Sequence, residues 1–136
     1  MREARRAGVR CPELLTVGTT DGGSVFLVLE LVEGTTAADL DPDTLGDELL
    51  DDLWTQVRLL HEARISHRSL GLGNVMVDPD RRWVSILDLD EAELASAPRD
   101  RARDVAELLV DLSLIVGIDR TVGSAVRTLG DEAVAA

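Results

Sequence analysis

The side chains best suited to chemistry lie in one short segment and shortly after it. Residues 67–74 read His-Arg-Ser-Leu-Gly-Leu-Gly-Asn, and Asp88 and Asp90 follow. Asparagine and aspartate offer oxygen atoms of the kind that hard divalent cations prefer as ligands. Ser69 is of a different type, because a serine hydroxyl has too little basicity near neutral pH to accept a proton by itself. The segment therefore has ligands for a cation, but Ser69 by itself would not serve as a general base.

Periodicity and turn residues predict the elements that must position this segment. The apolar run Val25–Leu29 is continuous, as expected of a strand that is covered on both faces. Thr35 or Thr36 is expected to cap a short helical turn that reaches Leu40. The sequence predicts helices over 2–7, from 41–44 to about 63, about 102–116, 119–129 and from 131 onward, and strands over 14–17, 25–29, 74–77 and 83–87.

Composition excludes some classes of partner. The net charge of −12 argues against nucleic acid, whose phosphates require a basic surface, and against docking on anionic lipid. All fourteen basic residues are arginine, so no lysine ammonium is available to hold phosphates. The single Cys11 cannot form an internal disulfide, which suits a reducing compartment. No stretch has the length of an apolar membrane span, so we expect no direct membrane insertion by this chain.

Acidic residues crowd one segment, residues 41–52, which contains no basic residue. We interpret this segment as a solvated helix face and its lead-in; the alternative is an acidic patch that binds a partner. The acids are Asp41, Asp43, Asp47, Glu48, Asp51 and Asp52.

The order of motifs from Val25 to Val116 resembles the protein-kinase-like fold. The matching order is hairpin, hinge, long helix, catalytic loop, hairpin, metal-binding aspartate and helix. The kinase loop reads H-R-D-L-x-x-x-N, and residues 67–74 keep all of its specified residues except the aspartate, which is replaced by Ser69. The resemblance implies an α+β fold with a mainly helical C-terminal lobe and two short β-hairpins. Residues 34–136 would form this lobe, and residues 1–33 a truncated N-terminal lobe and the hinge, whose strands would have an open edge.

The resemblance also implies a ligand, Mg-ATP, and residues that would hold it. Asn74 and Asp88 would bind the magnesium ion, and the hinge would meet adenine through the Glu30 C=O and the Val32 N–H. Asp90 would be a second, weaker metal ligand; the alternative is a solvated carboxylate at a strand end.

Other residues of the resemblance would support the loop. His67 would pack and hydrogen-bond beneath it, Arg68 would reach neighbouring carboxylates or carbonyls, and the buried Asp104 would hold the loop backbone. Ser69 stands where the family's aspartate accepts a proton. Loss of a general base typically costs about 10²–10⁴-fold in rate, so the expected enzyme is inactive or weak. His61 is expected to make a helix-end contact or to lie at the core edge.

A narrower resemblance covers most of the chain, including residues 53–78, LWTQVRLLHEARISHRSLGLGNVMVD, and 101–117, RARDVAELLVDLSLIVG. These are similar to the kinase-like region of bacterial integral membrane proteins with a lysylphosphatidylglycerol synthase/flippase-like transmembrane domain. The similarity implies a cytoplasmic pseudokinase that binds nucleotide or acts as a scaffold, fused to or associated with a membrane domain. One alternative is a small-molecule phosphotransferase of the aminoglycoside- or choline-kinase-like type that uses Mg-ATP. The other is a ligand-free protein-interaction module.

Overall fold

The computed structural model describes residues 1–135, which form five α-helices and three small antiparallel sheets. The predicted α+β class is thus confirmed. The helices are α1 (Arg2–Arg6), α2 (Asp47–Glu62), α3 (Pro98–Val116), α4 (Ile118–Leu129) and α5 (Asp131–Ala135). The strands are β1 (Leu14–Thr19), β2 (Val25–Leu29), β3 (Thr35–Thr36), β4 (Ile65–Ser66), β5 (Val75–Val77), β6 (Val84–Ile86) and β7 (Glu93–Leu94).

The core forms around α2, whose apolar residues recur at the spacing of one helical face. The residues of this face are buried: Leu49, Leu50, Leu53, Trp54, Val57 and Leu60. The Trp54 indole N–H donates to Ser124 Oγ of α4 at 3.0 Å, which satisfies the one polar group of this side chain. Trp54 thus packs in the core, and its hydrogen bond fixes α4 against α2.

The central sheet has the strand order β3-β5-β6 and supports the motif segments. Met76 of β5 is paired with Ser85 of β6, and both are half-buried, whereas the alternate residues of these strands face the core. Gly34 directly precedes β3 and has φ +145°. A Cβ there would lie 2.0 Å from the Val77 carbonyl oxygen. Only glycine fits this close approach of two backbones.

Three predicted element boundaries are wrong. The helix expected from about residue 102 begins at Pro98, because proline is tolerated in the first turn of a helix. Thr35 and Thr36 do not cap a helical turn, because they form β3 and pair with β5. The long helix does not begin at residues 41–44 but at Asp47. The Asp41 carboxylate accepts from the Asp43 N–H and starts a short 3₁₀ turn, Pro42–Thr44, which ends before α2 begins.

The first hairpin also differs from the prediction. β1 and β2 form a sheet of their own, with an open edge as expected, but all five residues of β2 are exposed. The predicted cover on both faces is wrong because no other described element packs over this hairpin. A separate two-stranded sheet, β4-β7, was not predicted, since strands of two residues are too short to produce an alternating pattern.

Among residues 1–135, no helix combines the length and the apolar character needed to cross a bilayer.

Candidate functional site

The buried carboxylate of Asp104 on α3 holds the backbone of the segment 67–74. Its Oδ2 accepts the His67 N–H at 2.7 Å, and its Oδ1 accepts the Arg68 N–H at 2.8 Å. Oδ2 also lies 3.0 Å from Nε2 of His61, near the end of α2. Arg68 has φ +72°, a left-handed conformation that costs free energy in a residue with a side chain. The carboxylate thus stabilises a strained turn and ties it to two helices.

The fully buried His67 ring connects the loop to the strand that precedes Asp88. Its Nε2 lies 2.7 Å from the Leu87 carbonyl oxygen, and its Nδ1 lies 3.3 Å from the Ser69 N–H. These contacts require a neutral ring that carries its proton on Nε2, so that Nε2 donates and Nδ1 accepts. His67 is therefore a structural link rather than a free acid or base.

The structure brings Asn74 and Asp88 to neighbouring positions on adjacent chain segments. The Leu87 N–H donates to the Asn74 carbonyl oxygen at 2.8 Å, immediately before Asp88. The Asn74 side-chain N–H donates to the Ser69 carbonyl oxygen at 2.8 Å. Since this bond uses the amide nitrogen, the amide oxygen remains available as a ligand. Asp88 is exposed and has φ +54°.

Asn74 and Asp88 suit a magnesium ion whose coordination shell is completed mainly by phosphate oxygens and water. Within residues 1–135, no group of three or more His, Cys, Asp or Glu side chains could enclose a metal ion. Magnesium commonly takes only one or two protein carboxylates and completes its shell with phosphates and water. The Asn74 amide and the Asp88 carboxylate fit that description. Asp90 is also exposed, two residues farther along the chain.

A cavity of about 270 Å³ lies beside the predicted hinge. Its walls include Glu30 and Val32 of the hinge, and Ser85, which is on the half-buried side of β6. In the described part of the chain, neither the Glu30 carbonyl oxygen nor the Val32 N–H has a hydrogen-bond partner. These two groups are therefore able to form hydrogen bonds with the edge of a planar ligand. The cavity also borders Cys11; burial raises the pKa of its thiol, more than nearby Arg5 lowers it.

Ser69 is exposed and lines a shallow groove of about 470 Å³. The groove is lined by Gly71 of the loop and by Val110 and Asp111 of α3, together with Ala106 and Glu107. The hydroxyl therefore faces a surface large enough for a small molecule. Arg68 is also exposed, and its guanidinium lies 3.9 Å from the Glu93 carboxylate of β7.

Sequence reasoning missed an anchor formed by Arg10 and Asp52. The Asp52 carboxylate contacts the Arg10 guanidinium and accepts the Val84 N–H at 2.8 Å. The Arg10 N–H donates to Gln56 Oε1 at 2.7 Å, and its carbonyl oxygen accepts the Ile86 N–H at 2.7 Å. The N-terminal segment is thus fixed to α2 and β6. No sequence signal distinguishes Asp52 from the neighbouring acids, because only the fold brings Arg10 to it.

The acidic segment 41–52 is in part a set of internal ion-pair partners. Asp47 lies 2.9 Å from the Arg120 guanidinium, and Asp51 lies 2.8 Å from that of Arg127. Both arginines belong to α4, which packs against α2. These two carboxylates therefore form ion pairs between α2 and α4.

No family model matches the chain, and no curated protein matches it. Solved structures do match, 758 chains in all, among them the crystal structure of monomeric WbdD. The match to WbdD has a TM-score of 0.63 at 22% sequence identity and covers 79% of this chain. It covers only 25% of the WbdD chain, so this chain corresponds to a quarter of that protein's length. The likeness is consistent with a kinase-like fold, and at this level of identity it shows the fold alone.

Proposed function

We propose that this chain is a kinase-like module that binds a magnesium–nucleotide complex and transfers phosphate slowly or not at all. The observation that carries the proposal is the adjacency of two chain segments: Asn74 ends the loop that Asp104 holds, and the residue before Asp88 is hydrogen-bonded to it. Both lie in a fold that also has a hinge cavity lined by Glu30 and Val32. When bound, Mg-ATP would supply an activated phosphoryl group. The protein would contribute the Asn74 oxygen and the Asp88 carboxylate to the cation.

The hinge supports the purine part of this proposal. The Glu30 carbonyl oxygen can accept one hydrogen bond and the Val32 N–H can donate one, which matches the alternating donor and acceptor at an adenine edge. The half-buried Met76 and Ser85 lie on the side of the central sheet that faces away from the core. Of these two side chains, Ser85 lines the hinge cavity, where a bound purine would contact it.

Weak or absent catalysis follows from Ser69. A serine hydroxyl has too little basicity near neutral pH to accept the proton of an attacking hydroxyl group, and both nitrogens of the His67 ring are already in hydrogen bonds. The chain also has no lysine to hold the phosphates. The module therefore senses nucleotide or acts as a scaffold, in the manner of a pseudokinase.

The narrower sequence resemblance supports the proposal that such a module lies on the cytoplasmic side of a membrane protein of the lysylphosphatidylglycerol synthase/flippase-like group. That context is part of the proposal. Its test is co-purification of this chain with the membrane domain encoded in the same genome. A membrane domain that shows no association with the chain, in cis or in trans, would contradict it.

The thermal unfolding midpoint with and without Mg-ATP tests the nucleotide site. A ligand at 100 times its Kd stabilises the folded state by about 2.7 kcal/mol, which corresponds to several degrees for a chain of this size. We expect a magnesium-dependent shift that Asp88→Ala abolishes. Asp80→Ala, an exposed aspartate in the β5–β6 turn, is the matched control and should keep the shift. No shift in the folded wild-type chain would refute nucleotide binding.

A second candidate function, a small-molecule phosphotransferase, is favoured by the groove beside Ser69. Ser69→Asp would restore a carboxylate at the position of the base. If the chain is a pseudokinase that retains its nucleotide site, this substitution should raise ATP turnover above the wild-type background by up to about 10²-fold. Wild-type turnover already in the range of ordinary kinases, lost in Asp88→Ala, would favour the enzyme instead.

A further inference from the structure

Asp111 is the second carboxylate of α3 that contacts the segment 67–74. It lies two helical turns after Asp104, so both side chains lie on the same face of α3, about 10 Å apart along the axis. The Asp104 carboxylate holds the start of the segment, whereas Oδ2 of Asp111 accepts the Leu72 N–H at 3.3 Å, in its second half. α3 therefore holds the segment at two points, and the second is close to Asn74.

The Leu72 N–H belongs to the same peptide group as the Gly71 carbonyl. A trans peptide group is planar, and its N–H and C=O point in opposite directions. The Gly71 carbonyl oxygen accepts the Asn74 N–H at 2.9 Å. One peptide plane thus carries two hydrogen bonds, one to the Asp111 carboxylate and one to the backbone of Asn74. Rotation of this plane would weaken both bonds together.

The side chain of Asn74 is held by the same turn. Its amide nitrogen donates to the Ser69 carbonyl oxygen at 2.8 Å, and that oxygen also accepts the Gly71 N–H at 3.1 Å. The bonds between Ser69 and Asn74 therefore close one compact turn that contains the Gly71–Leu72 peptide. An acceptor that fixes this peptide restricts the direction in which the Asn74 amide oxygen points.

Gly71 leaves the space that the Asp111 carboxylate occupies. A Cβ at position 71 would lie 3.3 Å from Oδ2 of Asp111, so the carboxylate would have to move by a few tenths of an ångström. Its bond to the Leu72 N–H is already longer than the usual range of about 2.7–3.2 Å, and this movement would break it. At Gly73, in contrast, a Cβ would meet no atom within 4 Å.

We infer that Asp111 is a positioning residue, which fixes the Gly71–Leu72 peptide and, through it, the Asn74 amide. The role of Asn74 as a magnesium ligand rests on the function proposed above, whereas the control of its amide by Asp111 does not. Loss of a hydrogen-bond partner that orients a metal ligand typically costs about 10–100-fold in metal affinity. Because the bond to Leu72 is long, we expect the lower end of this range.

Two substitutions at position 111 separate the hydrogen-bond acceptor from the charge. Asp111→Leu and Asp111→Asn both remove the negative charge, but only asparagine retains an oxygen that accepts the Leu72 N–H. In ¹H–¹⁵N spectra without nucleotide, Asp111→Leu should shift the Asn74 side-chain resonances and speed exchange of the Asn74 backbone amide about tenfold. Asp111→Asn should leave both close to wild type. Unchanged Asn74 resonances and exchange in Asp111→Leu would overturn the inference.

The Kd for ATP, measured with magnesium and with a chelator, tests the consequence for the metal. Asp111→Leu and Gly71→Ala should raise the Kd for Mg-ATP about tenfold and leave the Kd for metal-free ATP within about threefold. Asp111→Asn and Gly73→Ala are the matched controls and should keep both constants within about threefold of wild type. Unfolding midpoints check that all four variants are folded, and Gly71→Ala tests the same contact if Asp111→Leu does not fold.

The outcomes separate this inference from the proposed function. An equal loss of Mg-ATP affinity in Asp111→Leu and Asp111→Asn would overturn the inference, because the charge rather than the acceptor would then be responsible. Equal effects of Gly71→Ala and Gly73→Ala would also overturn it. A folded wild-type chain that binds no Mg-ATP would refute the proposed function, and the Asn74 resonances would then decide the positioning role alone.

Discussion

Replacement of Asp104 by alanine should be among the most destabilising single changes in this chain. The carboxylate is fully buried and accepts two backbone N–H groups and one contact from His61. Alanine leaves the His67 and Arg68 N–H groups without a partner, and each such buried group costs about 1–3 kcal/mol. We expect a loss of about 3–5 kcal/mol in the free energy of unfolding, a large part of the total of about 5–15 kcal/mol typical of a domain.

Urea unfolding followed by the fluorescence of the buried Trp54 measures this loss. Asp104→Asn retains one acceptor oxygen, so it should cost about half as much as Asp104→Ala. Asp90→Ala removes an exposed carboxylate and should change the free energy by less than about 0.5 kcal/mol. An Asp104→Ala variant within about 1 kcal/mol of wild type would refute the reasoning, since the loop would then hold its shape without the carboxylate.

Three further substitutions test other parts of the structure. Asp52→Ala removes the partner of the partly exposed Arg10 guanidinium and of the Val84 N–H, so it should destabilise the fold by about 2–3 kcal/mol in urea. Asp47→Ala, at a more exposed ion pair, should cost less than about 1 kcal/mol, and equal costs would contradict the role given to Asp52. Gly34→Ala should also lower the urea midpoint, because its Cβ would overlap a backbone carbonyl; an unchanged midpoint would contradict the close approach. Burial acts to raise the pKa of Asp78, but hydrogen bonds from three following backbone N–H groups lower it below its usual value. Since the folded-state pKa is lowered, this contribution to stability is present above about pH 4 and is lost as the pH falls through the folded pKa. The difference in stability between wild type and Asp78→Asn should therefore shrink between pH 7 and about pH 2, and a difference independent of pH would contradict this.

Local sequence patterns predicted much of the secondary structure. The apolar face of α2, the β5–β6 hairpin around its Asp-Pro-Asp turn, and the end of α3 at Gly117 all follow from periodicity and turn chemistry. These signals are local, because the residues that produce them are close in the chain. The start of α2 was wrong for the same reason: Asp41 and Pro42 favour a helical turn, but nothing in the local sequence shows that the turn ends at Leu45.

The contacts of the candidate site depend on residues far apart in the chain. The motif at residues 67–74 and the two aspartates after it were visible in the sequence, as was Asp104. Only the fold shows that Asp104 also contacts His61, or that the Leu87 N–H, one residue before Asp88, donates to the Asn74 carbonyl oxygen. Periodicity reports which residues face a core, and it does not report which polar groups meet there.

The sequence by itself determined the class of elements, the order of the motif residues and the absence of a base at Ser69 and of any lysine. These properties reside in residue types and their spacing. Tertiary structure alone decided that Arg10 anchors the N-terminal segment to α2, that the acids of α2 pair with α4, and that β2 is uncovered. The physical reason is that burial and ion pairing depend on the neighbours that folding brings together, and an apolar run has the same sequence whether or not another strand covers it.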